Sequence, residues 1–379
     1  MNLKQTFIKN FGDSDEAIRY FHAPARANII GEHIDYNGGY VMPFALTIGT
    51  YAVIRKRPDN IARFASTNVN GVIQLPLNEI TYNPQHDWAN YPKGIVHFMQ
   101  KDGHTLGGFD VLFSGNISGA GLSSSASLEL ATAVALNSAF SLGYDMISLV
   151  KLAQRAENQF CDVNCGIMDQ FAIGMGKKGM AIHLHCDSLQ YRYVPLSLGD
   201  YKFVIMDTNK KRKLNESKYN ERRAECEQAA KLLNVEYLTK LNPQDFALQE
   251  NKLDNTLQKR ARHVIHENHR VNQAEEALKD GDISKLGELL TASHISLRDD
   301  YEVSCVELDT IVEEAIKHAC CVGARMTGAG FGGCAIALVK ETDIPDFINA
   351  VSDAYTNGIG YSPGMYVQES GEGAVEVNL

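Results

Sequence analysis

The chain has 379 residues, which gives room for about two or three domains of ordinary size. Hydrophobic residues make up 44% and charged residues 22% of the sequence, a balance typical of a compact folded protein. The 36 Lys and Arg against 46 Asp and Glu give a net charge of −10, which excludes an extended surface for nucleic acid or an anionic membrane. Single phosphate groups stay possible, since backbone amides and a metal ion hold them without net positive charge.

The sequence shows neither a membrane span nor a disulfide framework. No stretch approaches the roughly 18 uninterrupted apolar residues that cross a bilayer, and the first residues lack the apolar core of a signal peptide. The eight cysteines form no C-x-x-C pair and are too few for a disulfide framework in a chain of this length. We therefore expect a cytoplasmic protein with reduced thiols.

The first half of the chain predicts strands followed by helices. Segments rich in β-branched and aromatic residues predict the strands, and apolar residues at helical spacing predict the helices. The predicted strands are 40–57, 61–66, 108–113 and 180–185, and the predicted helices are 124–140 and 146–160.

The second half is predicted to be richer in helix, and we place a domain boundary near residue 195, giving domains 1–195 and 196–379. Because strands and helices occur in runs rather than in regular alternation, the pattern favours an α+β fold. The predicted strands are 202–207, 335–339 and 365–367, and the predicted helices are 219–233, 260–278, 284–297, 306–318 and 344–355.

The most informative segment is NISGAGLSSSASLE at 116–129. Gly119 and Gly121 let another group approach the backbone closely, and Ser123 or Ser124 is suited to cap the helix that follows. A helix N-terminus carries unpaired N–H donors and a partial positive charge, so this loop is suited to bind phosphate. The Ser125 hydroxyl can reach a magnesium ion on that phosphate. An ordinary glycine turn before a serine-capped helix explains the same residues equally well.

Other nucleotide-binding motifs are absent. The segment GMGKK at 174–178 lacks the spacing and the hydroxyl of a P-loop, and the H-R-D and D-F-G patterns of protein kinases do not occur. A second glycine cluster, GAGFGG at 328–333, formally fits G-x-G-x-x-G but runs into CAIALV, which predicts a strand. A dinucleotide-binding turn opens a helix instead, so we expect a glycine bend that packs against the active-site loop.

Three segments together resemble one kinase family. APARANIIGEHIDYNGGYVMP at 23–43 closely resembles the sugar-binding signature of galactokinases. GAGLSSSAS at 119–127 resembles the ATP loop of the wider GHMP kinases, and ARMTGAGFGGC at 324–334 resembles the C-terminal glycine motif of that superfamily. The three occur in the family's order, and the resemblance extends through most of the chain.

The resemblance implies a fold, an activity and its partners. The fold is the two-domain GHMP kinase fold, with a mixed α/β N-terminal domain, a ferredoxin-like C-terminal domain and the active site in the cleft between them. The implied activity is ATP-dependent phosphorylation of the C1 hydroxyl of α-D-galactose. Mg²⁺ is the implied cofactor, ATP and D-galactose are the implied small-molecule partners, and we expect a monomer.

The resemblance also implies roles for individual residues. Asp169, in CGIMDQ, matches the segment that carries the catalytic base, and a carboxylate within hydrogen-bond reach suits proton removal from a hydroxyl. Arg26 matches the arginine that faces the transferring phosphate and the base, where a fixed cation stabilises transition-state charge. Glu157 matches the magnesium-binding glutamate and is expected to act with Ser125. Taken alone, each of these is equally a surface charge or a helix-terminal residue.

The remaining candidates are expected to contact the substrates. Carboxylates and an imidazole hydrogen-bond sugar hydroxyls, and a site built from them rejects epimers that leave polar groups unpaired. The substrate-binding candidates are Glu32, His33, Ile34, Asp35, Gly166 and Tyr219, and the ATP-binding candidates are Ser66, Gly119, Ala120, Gly121, Leu122, Ser123, Ser124 and Ser125.

Three positions depart from the usual galactokinase signature. Ala25 stands where glycine is typical, Ala27 replaces a larger aliphatic residue, and Ile34 replaces the common threonine. The change at Ile34 removes a hydroxyl between two sugar-facing residues, which affects sugar specificity rather than phosphoryl transfer. A kinase for a related sugar such as N-acetylgalactosamine therefore stays open, whereas Glu32 argues against galacturonate because two anions repel.

A non-catalytic sensor of galactose and ATP is the alternative from another functional class. The intact set of catalytic and metal-binding candidates argues against it, because a sensor needs no base. Other polar clusters are interpreted as structural or solvated, since they lack the ligand sets of metal sites or alternate between strand faces. These clusters are His183, His185 and Cys186, the helix residues His263, His266 and His269, and the basic run 209–213. For the basic run, a position beside the nucleotide stays open.

Overall fold

The computed structural model describes residues 2–115, 122–210 and 216–378. The strands are β1 Arg19–Asn28, β2 Tyr40–Val41, β3 Pro43–Lys56, β4 Ile61–Ser66, β5 Val72–Pro76, β6 Phe109–Gly115, β7 Met180–His185, β8 Tyr191–Pro195, β9 Tyr201–Asp207, β10 Cys321–Thr327, β11 Cys334–Lys340, β12 Gly364–Val367 and β13 Val375–Val377.

The helices occur singly or in runs between groups of strands. They are α1 Leu3–Phe11, α2 Asn90–Lys101, α3 Ser124–Phe140, α4 Met146–Gln159, α5 Met168–Met175, α6 Glu216–Leu232, α7 Pro243–Ala247, α8 Asn255–Asp280, α9 Ile283–Asp299, α10 Val306–Ile316 and α11 Ile344–Ile359. No helix in the described ranges has both the length and the apolar character needed to cross a bilayer.

The described strands form three sheets. The largest has the order β13-β1-β3-β6-β4-β5, and it is antiparallel except for the parallel pair β4 and β6. A four-stranded antiparallel sheet has the order β10-β11-β9-β12, and a small antiparallel sheet has the order β2-β7-β8. Strands and helices thus occupy separate layers, and the predicted α+β class is confirmed.

Helix α3 includes the C-terminal part of the predicted phosphate-binding segment and lies against the main sheet. It packs against strands β1 and β3 and against helices α2, α4 and α5. Small residues at 0% exposure, among them Ala126, Ala131 and Ala135, let these elements approach closely and bury most of the helix. The first residues of α3 therefore lie beside β1, which carries Arg26.

The two halves of the chain are joined at its end. The last strand, β13, pairs with β1 in antiparallel register, with Phe21 opposite Glu376, and Arg19 forms an ion pair with Glu376. The predicted boundary near residue 195 lies between the end of β8 and the start of β9. The final strand nevertheless belongs spatially to the sheet built by the first half.

A buried carboxylate ties together strands β3, β4 and β6. Asp110 on β6 is fully buried and contacts Arg55 at 2.8 Å, Arg63 at 2.6 Å and Arg57 at 3.2 Å. Arg55 also donates to the backbone carbonyl of Gly12 at 3.0 Å, just beyond helix α1. The cluster therefore fixes α1 against the sheet as well as the strands against each other.

Replacing this carboxylate should destabilise the fold. Asp110→Ala leaves three arginines without their buried partner, and we expect the free energy of unfolding to fall by about 3–5 kcal/mol. Urea denaturation followed by circular dichroism measures it. The control is Asp59→Ala, which removes the exposed partner of Arg57 and should cost less than about 1 kcal/mol. Equal losses in the two variants would contradict the role assigned to Asp110.

Candidate active site

A cavity of about 640 Å³ collects residues from both halves of the chain. The first half contributes β1, the turn after it, the starts of α3 and α5 and part of α4, and the second half contributes α6 and the segments that follow β9 and β10. Predicted site residues that line the cavity are Arg26, Glu32, His33, Asp35, Ser123, Ser124, Ser125, Glu157, Gly166, Asp169 and Tyr219.

The side chain of Ile34 lies in the core, and its predicted role in sugar binding stays a prediction. That side chain is fully buried, as are those of Ala25 and Ala27, whereas the neighbouring His33 and Asp35 line the cavity. The backbone carbonyl of Ile34 instead accepts hydrogen bonds from the N–H groups of Asn37 and Gly39. The departures from the usual signature at these three positions therefore concern packing beneath the site.

Some ATP-binding candidates are not among the residues that line this cavity. Leu122 is buried in the core at 1% exposure. Ser66 ends β4 opposite Phe113 on β6, and its hydroxyl accepts a hydrogen bond from Asn68 N–H. Gly119, Ala120 and Gly121 lie outside the described residues. For Ser66 and the glycine loop the nucleotide-binding role stays a prediction.

An ion pair between Arg26 and Asp169 lies in the cavity wall. Arg26 Nε donates to Asp169 Oδ1 at 2.7 Å, and its terminal nitrogen donates to Oδ2 at 2.9 Å. The Ser123 hydroxyl donates to the same Oδ2. The Arg26 side chain is 5% exposed and the Asp169 side chain is 31% exposed. The carboxylate therefore contacts a buried cation and is also accessible from the cavity.

Local backbone geometry brings these three side chains together. The pairing of β1 with β3 shifts register between Pro24 and Arg26, and such bulges re-aim the side chains beside them. Asp169 lies in the first turn of α5. Ser123 occupies the N-cap position of α3 in a left-handed conformation with φ of 62°. Its hydroxyl does not cap the helix as expected, because it is directed to Asp169 instead.

The metal-binding candidates Glu157 and Ser125 lie beside this ion pair. Burial raises the pKa of Glu157 to about 7, a hydrogen bond from Ser125 opposes that shift, and the charge of Asp169 adds to it. Gln170 also donates to Glu157 Oε2 at 2.6 Å. A carboxylate and a hydroxyl that both line the cavity fit Mg²⁺, which takes few protein ligands and keeps several waters. In the described residues no cluster of three or more His, Cys, Asp or Glu is arranged to hold a metal.

The sugar turn, residues 29–39 between β1 and β2, contributes to the same cavity as the metal-binding candidates. Burial raises the pKa of Asp35 to about 7, and the nearby charge of Asp169 adds to the shift. Gly166 leaves the space that this carboxylate occupies, since a Cβ there would lie 1.8 Å from Asp35 Oδ2. At neutral pH Asp35 can therefore both donate and accept hydrogen bonds.

His33 is held as a neutral imidazole by its contacts. Burial lowers its pKa to about 3. Nε2 lies 3.1 Å from the carbonyl of Ala329, which can only accept, so Nε2 carries the proton. Nδ1 then accepts from the Tyr36 hydroxyl at 2.7 Å, and the His33 ring also contacts that of Tyr219. The imidazole thus bridges the sugar turn and the glycine bend after β10.

Helix α8 supports the sugar turn from below, a role not foreseen for its histidines. His263 is fully buried and its Nε2 donates to the Glu32 carbonyl at 3.1 Å. Glu267 accepts from Gly31 N–H at 2.9 Å, and Asn268 accepts from Tyr40 N–H at 2.8 Å. The signal available in the sequence was the position of His263 and Glu267 on the apolar face of the helix, where unpaired polar groups are costly.

Other polar features divide between structure and site. His183 is buried and hydrogen-bonds Asn272 at 3.1 Å, which agrees with its structural interpretation. Asn209 and Lys210, from the basic run 209–213, line the cavity, which agrees with the second of the two positions considered for that run. Lys210 forms an ion pair with Glu307 at 2.8 Å. The rest of that run, 211–213, lies outside the described residues.

Family models match three parts of the chain. The galactokinase galactose-binding signature matches residues 5–56, the GHMP kinase N-terminal domain matches 90–177, and the GHMP kinase C-terminal domain matches 274–357. A curated galactokinase of Clostridium tetani is 51% identical over 99% of this chain and 97% of its own length. One of Bacillus subtilis is 48% identical over 99% of this chain and 98% of its own length.

Solved structures show the same architecture. The crystal structure of Lactococcus lactis galactokinase complexed with galactose has a TM-score of 0.97 and 46% identity, and the match covers 99% of both chains. The mevalonate kinase of Methanococcus jannaschii has a TM-score of 0.66 at 21% identity, with 95% of this chain and 99% of that chain covered. The second match supports the GHMP fold alone.

The raised pKa of Asp35 predicts a pH-dependent stability of the ligand-free protein. The folded state keeps the proton up to about pH 7, whereas the unfolded chain loses it near pH 4. The folded state therefore binds more protons in that window, and its stability falls as pH rises. We expect Asp35→Asn to gain about 2 kcal/mol relative to wild type between pH 5 and pH 8.

Urea denaturation at a series of pH values measures this difference. The groups that face Asp35 are the carboxylates of Glu32 and Asp169 and the side chains of Tyr36, Tyr219 and Cys186. The control is Asp353→Asn on the exposed face of α11, for which we expect a pH-independent difference. A constant difference for Asp35→Asn as well would show that Asp35 does not hold its proton in the folded state.

Proposed function

The chain belongs to the galactokinase family of GHMP kinases and is a kinase, and we propose that it transfers the γ-phosphoryl group of ATP to the C1 hydroxyl of α-D-galactose. The products are α-D-galactose 1-phosphate and ADP. The observation that carries the proposal is the contact of Arg26 and Ser123 with Asp169 at the wall of a cavity that also contains the sugar-binding candidates.

In the proposed step Asp169 is the general base. The C1 hydroxyl donates its proton to a carboxylate oxygen of Asp169 while the hydroxyl oxygen attacks the γ-phosphorus. The bond between that phosphorus and the bridging oxygen breaks, and ADP leaves. An ionised carboxylate has about four lone-pair sites, so Asp169 can accept from the sugar and keep its bonds to Arg26 and Ser123. Its partial exposure to the cavity supports this arrangement.

Arg26 is proposed to serve both the base and the phosphoryl group. Its bidentate contact fixes the plane of the Asp169 carboxylate, which reduces the cost of aligning the base with the sugar. A guanidinium at this place also stabilises the negative charge on the equatorial oxygens of the transferring group. Because the arginine is almost fully buried, its charge is weakly screened by water.

The nucleotide is proposed to bind at the start of α3. Backbone N–H groups at a helix N-terminus bind phosphate, and Ser123, Ser124 and Ser125 line the cavity there. Ser125 and Glu157 are the proposed ligands of Mg²⁺. When bound there, the ion would supply positive charge that offsets the charge of the nucleotide phosphates. This part of the cavity lies beside Asp169, whose charge acts on Glu157.

The sugar is proposed to bind between the turn after β1 and α6. Glu32, His33 and Asp35 line that side of the cavity, together with Gly166 and Tyr219. The similar Lactococcus lactis enzyme was solved with galactose, which favours this sugar over a related one. We propose a monomer, since all of these groups come from one chain.

A kinase assay over hexoses tests the proposal. With Mg²⁺ and ATP, we expect galactose to be phosphorylated in preference to glucose and N-acetylgalactosamine. Asp169→Asn removes the proton acceptor but keeps the shape of the side chain, so kcat should fall by about 10²–10⁴-fold while the galactose Kd from calorimetry changes by less than about fivefold.

The matched control is Asp162→Asn, another carboxylate that lines the cavity and has a positive φ of 60°, which asparagine tolerates. It should keep kcat within about twofold. Unchanged turnover in Asp169→Asn would remove Asp169 as the base. Binding of galactose and ATP by the wild type without turnover would favour the sensor.

A further inference from the structure

All contacts to the Glu32 carboxylate in the described part of the chain reach the same oxygen. The Thr327 hydroxyl donates to Oε1 at 2.9 Å, and Gly328 N–H donates to it at 2.8 Å. A terminal nitrogen of Arg325 lies 3.2 Å from this oxygen. Glu32 is 1% exposed and lines the cavity. Its second oxygen, Oε2, therefore remains for a ligand.

The groups around Oε1 are themselves fixed. Thr327 Oγ1 accepts from Asn28 N–H at 3.3 Å. Its hydroxyl proton has two acceptors, and Glu32 Oε1 at 2.9 Å is nearer than the Asn28 carbonyl at 3.3 Å. Arg325 is fully buried and donates from its other terminal nitrogen to the carbonyls of Asn28 and Ile29, each at 2.9 Å. Arg325 and Thr327 lie on β10, so these hydrogen bonds hold the end of β1 and the end of β10 together.

The backbone of Glu32 is held as firmly as its carboxylate. His263 donates to its carbonyl, and Glu267 binds the N–H of the preceding Gly31. Gly31 has a φ of +104°, and a Cβ there would lie 2.7 Å from the Tyr40 carbonyl, so the turn has little freedom to move. Because the backbone and the carboxylate of Glu32 are both held, rotation of the carboxylate would break two hydrogen bonds and an ion pair.

We propose that Thr327 and Arg325 are positioning residues that present Oε2 of Glu32 to one hydroxyl of the sugar as an acceptor only. The inference rests on the proposed function, since it assumes that a sugar occupies this cavity. An acceptor that cannot rotate requires a donor opposite it, so a sugar lacking that hydroxyl leaves a buried carboxylate oxygen unpaired. The motif at 324–334 would thus act on sugar selection through β10.

The test begins with the isosteric variant Thr327→Val. Loss of one hydrogen bond to a charged group should raise the KM for galactose about tenfold. Because Thr327 touches neither Asp169 nor the start of α3 in the described contacts, kcat and the KM for ATP should stay within about twofold. Thr327→Ser restores the hydroxyl and should return the galactose KM to within about twofold of wild type.

Monodeoxygalactoses distinguish a role of Thr327 in positioning Glu32 from a general disturbance of the structure by the substitution. Across the 2-, 3-, 4- and 6-deoxy sugars, the effect of Thr327→Val should disappear for the one that lacks the hydroxyl facing Oε2, and persist for the others. The control is Thr132→Val, at an equally buried threonine whose hydroxyl, among the described residues, bonds to the Leu128 carbonyl of its own helix. It should leave the galactose KM unchanged whatever its effect on stability.

Glu32→Gln gives a second test that does not depend on the folding of the Thr327 variant. If the donors around Oε1 fix the side chain, the amide oxygen takes the place of Oε1 and the NH₂ group faces the sugar. The sugar hydroxyl must then accept instead of donate. The corresponding deoxyfluoro sugar, whose fluorine accepts but cannot donate, should therefore improve as a substrate, and the ratio of its KM to that of galactose should fall about tenfold relative to wild type. An unchanged ratio would show that Glu32 does not face that hydroxyl as an acceptor, which would overturn the proposal.

Two further results would overturn it: an equal effect of Thr327→Val on all deoxy sugars, or parallel changes in kcat and in the KM for ATP. Failure of the proposed function is distinguishable, because in that case the wild type itself would not phosphorylate galactose.

Discussion

The bidentate contact between Arg26 and Asp169 is the interaction on which the rest of the site depends. It joins β1 to α5, and the hydroxyl of Ser123 adds the start of α3 to the same pair. The pair also lies within a concentration of acidic groups. Burial, together with the nearby charge of Glu157, raises the pKa of the fully buried Glu129 well above its usual range, and Glu157 and Asp35 are shifted upwards as well. A cation delivered with the nucleotide would relieve this excess of negative charge.

The sugar side of the cavity is assembled from both halves of the chain. The turn that follows β1 rests on helix α8 through His263, Glu267 and Asn268, and it is joined to the glycine bend after β10 through His33 and Glu32. These contacts are separated by more than 200 residues in sequence, so the pocket forms only when the two sheets and α8 are in place.

The sequence predicted most of the long elements but few of the supporting contacts. Strong periodicity indicated α3, α4, α8 and α9, while β1, which carries Arg26, was missed because its one proline and three alanines are weak strand formers. Arg26, Asp169, Glu32 and Glu157 were found by resemblance, and the cavity contains all of them. The burial of the Ile34 side chain in the core was not foreseen, and its role in sugar binding stays a prediction. The roles of His263 and Thr327 depend on long-range packing that no local pattern specifies.

The most direct test of the account is a crystal structure with galactose and a non-hydrolysable ATP analogue. The account predicts that the C1 hydroxyl lies about 2.6–3.2 Å from a carboxylate oxygen of Asp169, in line with the γ-phosphorus, while Arg26 keeps its contact with that carboxylate. A C1 hydroxyl bound to Asp35 instead, with Asp169 turned away from the sugar, would contradict it.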